Sequence, residues 1–297
     1  MNFFFEVLVG GLLSGLMYSL VALGFVLIYK ASGVFNFAQG ALVFFAVLSL
    51  VGFMELGLNF WAALAVTVAL MVAVGVATER LVLRPLLGQS EDTLLMATIG
   101  LAFVVEGVAQ LLWGVKVRRL DLGIPDEPMG WIADKADILV SQLDVTAGLV
   151  AGMMVALLAL IFSKTKVGRG LRAVADDNAA ALSVGIPLKQ ILVVVWATAG
   201  VVALVAGMMW GARSGVQFAL VGVALKAMPV LIIGGFTSVP GVIVAGLIVG
   251  AAEKIAEVYL GPYVGGGIEG WLPYVLAVLF LLVRPEGLFG EKIIRRV

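Results

Sequence analysis

No cysteine and no histidine occur among the 297 residues. The first absence excludes disulfides, thiolate nucleophiles and sulfur metal sites. The second removes the usual metal ligand and the usual general base near neutral pH. Charge is scarce as well. Only 13% of residues are charged, against about 25% in an ordinary soluble domain. Nineteen basic residues cancel nineteen acidic ones, so net charge names no partner, and nucleic acid is not expected. No G-x-x-x-x-G-K-[ST] phosphate loop is present, which excludes ATP binding by that route. Without histidine, neither a Ser-His-Asp triad nor an HExxH zinc site can be assembled, and the acids are scattered. An enzyme is not expected, nor is a bound cofactor.

Apolar sequence fills the space. Hydrophobic residues make up 62% of the chain, and the mean hydropathy is +1.15. Several uncharged windows reach about 20 residues, enough to cross a bilayer as helices. The apolar runs are continuous and not alternating, which argues against a β-barrel. The 37 glycines suit close helix approach in lipid. The expected fold is an all-α integral membrane protein, a polytopic bundle of about 8–10 spans with broken helices. One transmembrane domain, residues 1–297, is expected, with no separate soluble domain and no clear internal repeat. The opening MNFFFEVLVGGLLSG lacks a basic leader and continues as a long apolar run, so it reads as a retained span.

The spans are expected at Val7–Tyr29, up to Met54, Phe60–Thr78, Thr93–Trp113, Val145–Phe162, Ile191–Ala212, Phe218–Phe236, Val242–Tyr259 and Trp271–Val283. Two interruptions stand out. ASGVFNFAQGAL (Ala31 to Leu42) sets Asn36, Phe37, Gln39 and Gly40 between apolar residues. GGFTSVPG contains Gly234, Gly235, Ser238 and Pro240. Backbone that leaves helical geometry at membrane depth survives only inside protein or beside water, so both are candidate pathway breaks. For the first, the alternative is a plain loop with an amide cap. Two ionisable residues fall within spans, Glu106 and Lys226. A charge there is unfavourable by about 2.5–3.5 kcal/mol and should face the bundle interior or water. Glu106 reads either as a relay residue or as a packing partner. For Lys226 the candidate partners are Glu106, Glu253 and Glu257.

The interval Lys164 to Gln190 carries Lys164, Lys166, Arg169, Arg172 and Lys189 against Asp176 and Asp177. Positive charge in a short loop marks the cytoplasmic side. Its Ala-rich middle, Arg172 to Val184, predicts a short helix that Gly185 stops and Pro187 keeps from restarting. Such a helix at the inner face can be pushed by a soluble partner; the alternative is an ordinary basic loop. The basic tail after Arg284 also predicts the inside, and the span count then puts the N-terminus outside. A conduit with no nucleotide motif leaves two classes. One is a permease subunit driven by a separate ATPase, the other an ion-coupled secondary transporter. Only the first needs a docking helix.

Four stretches carry a family resemblance over almost the whole length. They are GLMYSLVALGFVLIYKASGVFNFAQGAL (Gly15 to Leu42), RAVADDNAAALSVGIP (Arg172 to Pro187), LKAMPVLIIGGFTSVPGVIVAGLIVGAAE (Leu225 to Glu253) and RPEGLFG (Arg284 to Gly290). In this order they resemble the branched-chain amino acid ABC transporter permease family, of the LivH type. Ala179, where that family often has an acidic residue, and Gln39, where histidine is common, depart from its pattern. The resemblance implies an inner-membrane permease paired with a second, homologous permease, two cytoplasmic ATPase subunits that bind the ATP, and an extracytoplasmic binding protein. It implies Leu, Ile or Val as solute, with relatives carrying urea, short amides or small carboxylates. It implies that Arg172, Ala173, Asp177, Ala180, Gly185 and Ile186 couple to the ATPase.

Overall fold

The computed structural model describes residues 2–86, 88–130, 139–176, 181, 183, 185 and 187–290. Within them the chain is helical, with only two isolated bridges, Arg118 to Val216 and Pro128 to Ser141. Helices α1 (Asn2–Ser32), α2 (Gln39–Glu55), α3 (Phe60–Ala77), α4 (Glu91–Trp113) and α5 (Gln142–Lys164) are followed by the short α6 (Lys166–Asp176). Then come α7 (Leu188–Ser214), α8 (Val221–Gly234), α9 (Val239–Val264) and α10 (Leu272–Val283). Among the described residues, six helical stretches are long and apolar enough to cross a membrane, and three apolar ones are shorter. Together these occupy the nine stretches expected from hydropathy.

The ends follow local chemistry. Asn59 accepts the Ala62 N–H at 2.9 Å to start α3. Ser90 accepts the Thr93 N–H at 3.4 Å to start α4, and Glu91 and Asp92 in that first turn complement the helix dipole. The interval left between the third and fourth expected spans, residues 79–92, is in part helical. A π turn over Thr78–Leu83 and a 3-10 turn over Arg84–Leu86 prolong α3. Fully buried Glu79 is satisfied there by Arg84, whose Nε and Nη2 donate to its two oxygens at 3.1 and 2.7 Å. That bidentate pair lets a carboxylate sit inside the structure.

Packing divides the chain into two compact units. The first holds residues 1–22, 121–155 and 225–297. Its centre is the crossing of α1 and α9. A Cβ placed on Gly15 would lie 2.3 Å from Gly246 O, and one on Gly11 would lie 2.7 Å from Gly250 O. Both helices therefore present a G-x-x-x-G face, and the backbones touch. Ser19 Oγ follows on the same face, donating to Gly15 O at 2.9 Å and Val242 O at 3.2 Å.

The second unit holds residues 23–120 and 156–224. Here α2 is buried on all sides: 14 of its 17 residues lie within the core. Phe53 meets Trp113 edge to face, and Trp113 Nε1 donates to buried Ser49 Oγ at 3.0 Å. The loop after α4 is anchored by Arg118, whose backbone pairs with Val216 and whose guanidinium reaches Glu55 at 2.6 Å. By contrast α3 and α4 leave Trp61, Phe103 and Leu111 largely exposed, as helices facing lipid or another apolar partner do.

Candidate functional site

The first break belongs to the second unit. Gly33, with φ of 70°, ends α1. Asn36 then folds back on the chain: its Oδ1 accepts the Ala38 N–H at 3.1 Å, an Asx turn that launches α2. Its Nδ2 donates to Gln39 Oε1 at 3.3 Å. Both amides are fully buried. Gln39 Nε2 has no hydrogen-bond partner among the described residues. It lies where a side chain on Gly24 would stand, since a Cβ there would be 2.2 Å away. Phe37 stacks edge-on against Phe35 and donates its N–H to Thr98 Oγ1 at 3.3 Å. Gly40 lets α2 approach the start of α8, because its Cβ would sit 2.4 Å from Val221 O. The amide-cap alternative thus describes Asn36, while Gln39 retains a donor with nothing to bond. Thr98, which ties this break to α4, carries no signal in the sequence.

The second break belongs to the first unit. Ser238 accepts the Gly241 N–H at 3.0 Å and caps α9, with Pro240 in the first turn, where no N–H is needed. Gly235 has φ of 98°. The RPEGLFG stretch closes over this break: Leu288 N–H donates to Ile233 O at 2.7 Å and Phe289 N–H to Gly234 O at 3.4 Å. A Cβ on Gly287 would lie 2.7 Å from Gly235 Cα. Two signature stretches separated in sequence by residues 254–283 are one piece of structure.

Lys226 lies on α8 of the same unit, and among its three candidates the fold selects Glu253. Lys226 Nζ is 3.8 Å from Glu253 Oε1, and Tyr18 OH donates to that oxygen at 3.0 Å. Glu257 instead receives the Gly267 and Glu269 N–H groups at 2.9 and 3.0 Å. Glu106 is half-buried on α4 and has no ion-pair or hydrogen-bond partner among the described residues. Tyr18 and Glu253 are members of this cluster that sequence reasoning did not single out as site residues. Glu253 was only a candidate partner, and Tyr18 is marked in the sequence by nothing beyond its place in the first span.

The inner loop is organised by α6. It starts six residues earlier than the Ala-rich tract suggests, because Thr165 Oγ1 accepts the Gly168 N–H at 3.2 Å and caps it. Gly168 is buried against the end of α5: a Cβ there would lie 1.9 Å from Phe162 O. Gly168, Leu171 and Val174 form the buried face, while Lys166, Arg169 and Arg172 are exposed. Arg172 also reaches the last carbonyls of α5, Phe162 O at 3.4 Å and Ser163 O at 3.3 Å. Cations favour that helix end. Ala173 is half-exposed, and Gly185 has φ of 81°, a conformation that ends helices. Asp177, Ala180 and Ile186 lie outside the described residues.

The family described as branched-chain amino acid transport system / permease component matches residues 7–283. The chain belongs to that family. This permease is 26% identical to the high-affinity branched-chain amino acid transport system permease protein BraD of Pseudomonas aeruginosa, over 99% of its own length and 98% of the relative's. It is 24% identical to LivH of Escherichia coli K12, again over 99% and 98% of the two chains. A fructose import permease protein, FruF of Bifidobacterium longum, shares 26% over 64% of this chain and 51% of its own. PsaBC from Streptococcus pneumoniae, solved in complex with Fab, covers 93% of this chain and 90% of its own at a TM-score of 0.50 and 16% identity, a likeness of fold. The permease is a multi-pass subunit of an importer of the ABC class, embedded in the inner membrane.

Proposed function

We propose that this permease moves branched-chain amino acids inward, driven by ATP hydrolysed on two separate cytoplasmic ATPase subunits. Those subunits bind the nucleotide, and the permease itself takes no cofactor. A second, homologous permease completes a heterodimeric core in the bilayer, and an extracytoplasmic binding protein delivers the solute. The observation that carries this reading is the match to branched-chain permeases over 98% of their own length.

The residues take two roles. Arg172, Ala173, Asp177, Ala180, Gly185 and Ile186 receive the motion of the ATPase. In support, α6 is amphipathic: Leu171 and Val174 anchor it while Arg169 and Arg172 face outward. An anchored helix transmits force where a floppy loop absorbs it. Asn36, Phe37, Gln39, Gly40, Glu106, Lys226, Gly234, Gly235, Ser238 and Pro240 line or gate the route. In support, both breaks interrupt a run of apolar helices, and Asn36 and Gln39 are fully buried at the first.

Reconstitution tests both. Liposomes holding the whole complex and its binding protein accumulate leucine only with ATP. The permease alone moves nothing uphill, and concentrative uptake by it unaided, on a proton or sodium gradient, ends the proposal. Gly185→Trp blocks docking while the protein stays in the membrane; survival of both transport and ATPase co-purification removes the coupling role.

A further inference from the structure

Lys226 and Glu253 make a poor structural ion pair. Their 3.8 Å separation exceeds a hydrogen bond. An ammonium carries three donors, and Lys226 gives none of them to a described residue. Its side chain is 32% exposed, so it can be approached. Glu253 is the opposite, with 7% of its side chain exposed. Its Oε1 is engaged by Tyr18, but Oε2 is buried without a partner. A buried carboxylate oxygen normally finds a donor. A loosely made pair does not repay the desolvation of its buried carboxylate, so stability is a weak reason for its presence.

What the pair lacks has a definite shape: an anion for the Lys226 donors and a cationic donor for Glu253 Oε2, a few ångströms apart. An α-amino acid presents both on adjacent bonds. Its carboxylate accepts from Lys226 Nζ and its ammonium donates to Glu253. One long contact is exchanged for two charge-assisted hydrogen bonds. Tyr18 holds Oε1 and so leaves Oε2, closed off in this structure, as the oxygen a solute meets when the route opens. We propose that Lys226 and Glu253 are the receptor for the backbone zwitterion of the amino acid in passage, with Tyr18 as the residue positioning Glu253. This rests on the reading that the solute is an amino acid. It assigns the part every amino acid shares and leaves the side chain to other contacts.

Leucine uptake by the reconstituted complex tests it, with ATPase co-purification as the check on assembly. Lys226→Gln, Glu253→Gln and the double variant are each expected to lose about 30-fold, the scale of a charge-assisted contact. The double variant decides. A purely structural pair is rescued when both charges go together, so double-variant uptake within about threefold of wild type overturns the proposal. The second measurement is equilibrium binding of radiolabelled leucine to the purified complex without binding protein. There Tyr18→Phe keeps both charges and is expected to weaken binding about tenfold. Unchanged affinity, or no binding by wild type, overturns the receptor. A wild-type complex that carries no amino acid overturns the solute reading and this inference together; active wild type with an active double variant overturns this inference alone.

Discussion

Gly15→Ala is the sharpest test of how the first unit is held together. The added methyl would lie 2.3 Å from Gly246 O and 2.9 Å from its carbonyl carbon. These are backbone atoms and cannot rotate away, so α1 and α9 must separate by about 1 Å to restore ordinary contact. A gap of that size forfeits about a quarter to a half of the dispersion energy along the crossing. In lipid no hydrophobic effect between helices replaces it. Overpacking of this kind destabilises by about 1–3 kcal/mol. Gly10 supplies the control, since a Cβ there meets nothing within 4 Å. Gly10→Ala should be neutral or slightly stabilising, because alanine favours helix over glycine by up to about 1 kcal/mol. Thermal unfolding of the purified protein, followed by loss of monodisperse elution, reads both. Equal stability of the two variants refutes the crossing as the reason for glycine at position 15. Lost leucine uptake in Gly15→Ala is also expected, since the same crossing carries Tyr18 toward Glu253.

Arg84→Met strips buried Glu79 of its bidentate partner and should destabilise by about 3 kcal/mol, seen as a lowered midpoint in the same assay; an unchanged midpoint means the pair is not needed. Gly287→Ala places a side chain 2.7 Å from Gly235 Cα at a φ of 83°, and should free the RPEGLFG stretch. Limited proteolysis then cuts the variant near residue 287 faster than wild type, and equal rates refute the docking. Gln39→Cys, unique in a chain without cysteine, should resist an aqueous maleimide in the resting complex, where position 39 is fully buried. It should label during ATP turnover, and protection in both states removes Gln39 from the route. Trp113→Phe deletes the bond to Ser49 and should lower stability by about 1 kcal/mol, again read by thermal unfolding.

Much of the architecture is legible in the chain because transfer into lipid is a local property. Each apolar stretch carries its own tendency to span, and Gly33, Gly185, Gly235 and Pro240 mark interruptions through backbone geometry that neighbours need not supply. Hydropathy misjudged the junction after α3, where Glu79 and Arg84 look like loop residues. They satisfy each other and so permit helical turns. The start of α6 was misplaced for a similar reason: alanine content marks propensity, but the cap that begins the helix is Thr165.

Composition and local pattern alone determined a membrane-embedded helical bundle with two broken spans and a basic inner helix. They determined it because bilayer insertion, capping and helix breaking act over a few residues. Tertiary structure decided which charges meet. Lys226 faces Glu253 and not Glu257, Tyr18 comes in from a helix 235 positions away, and the terminal RPEGLFG lies on the second break. Such pairings depend on which faces of distant helices touch. In the first unit that is governed by where glycine lets two backbones approach, a geometric fact no single segment contains.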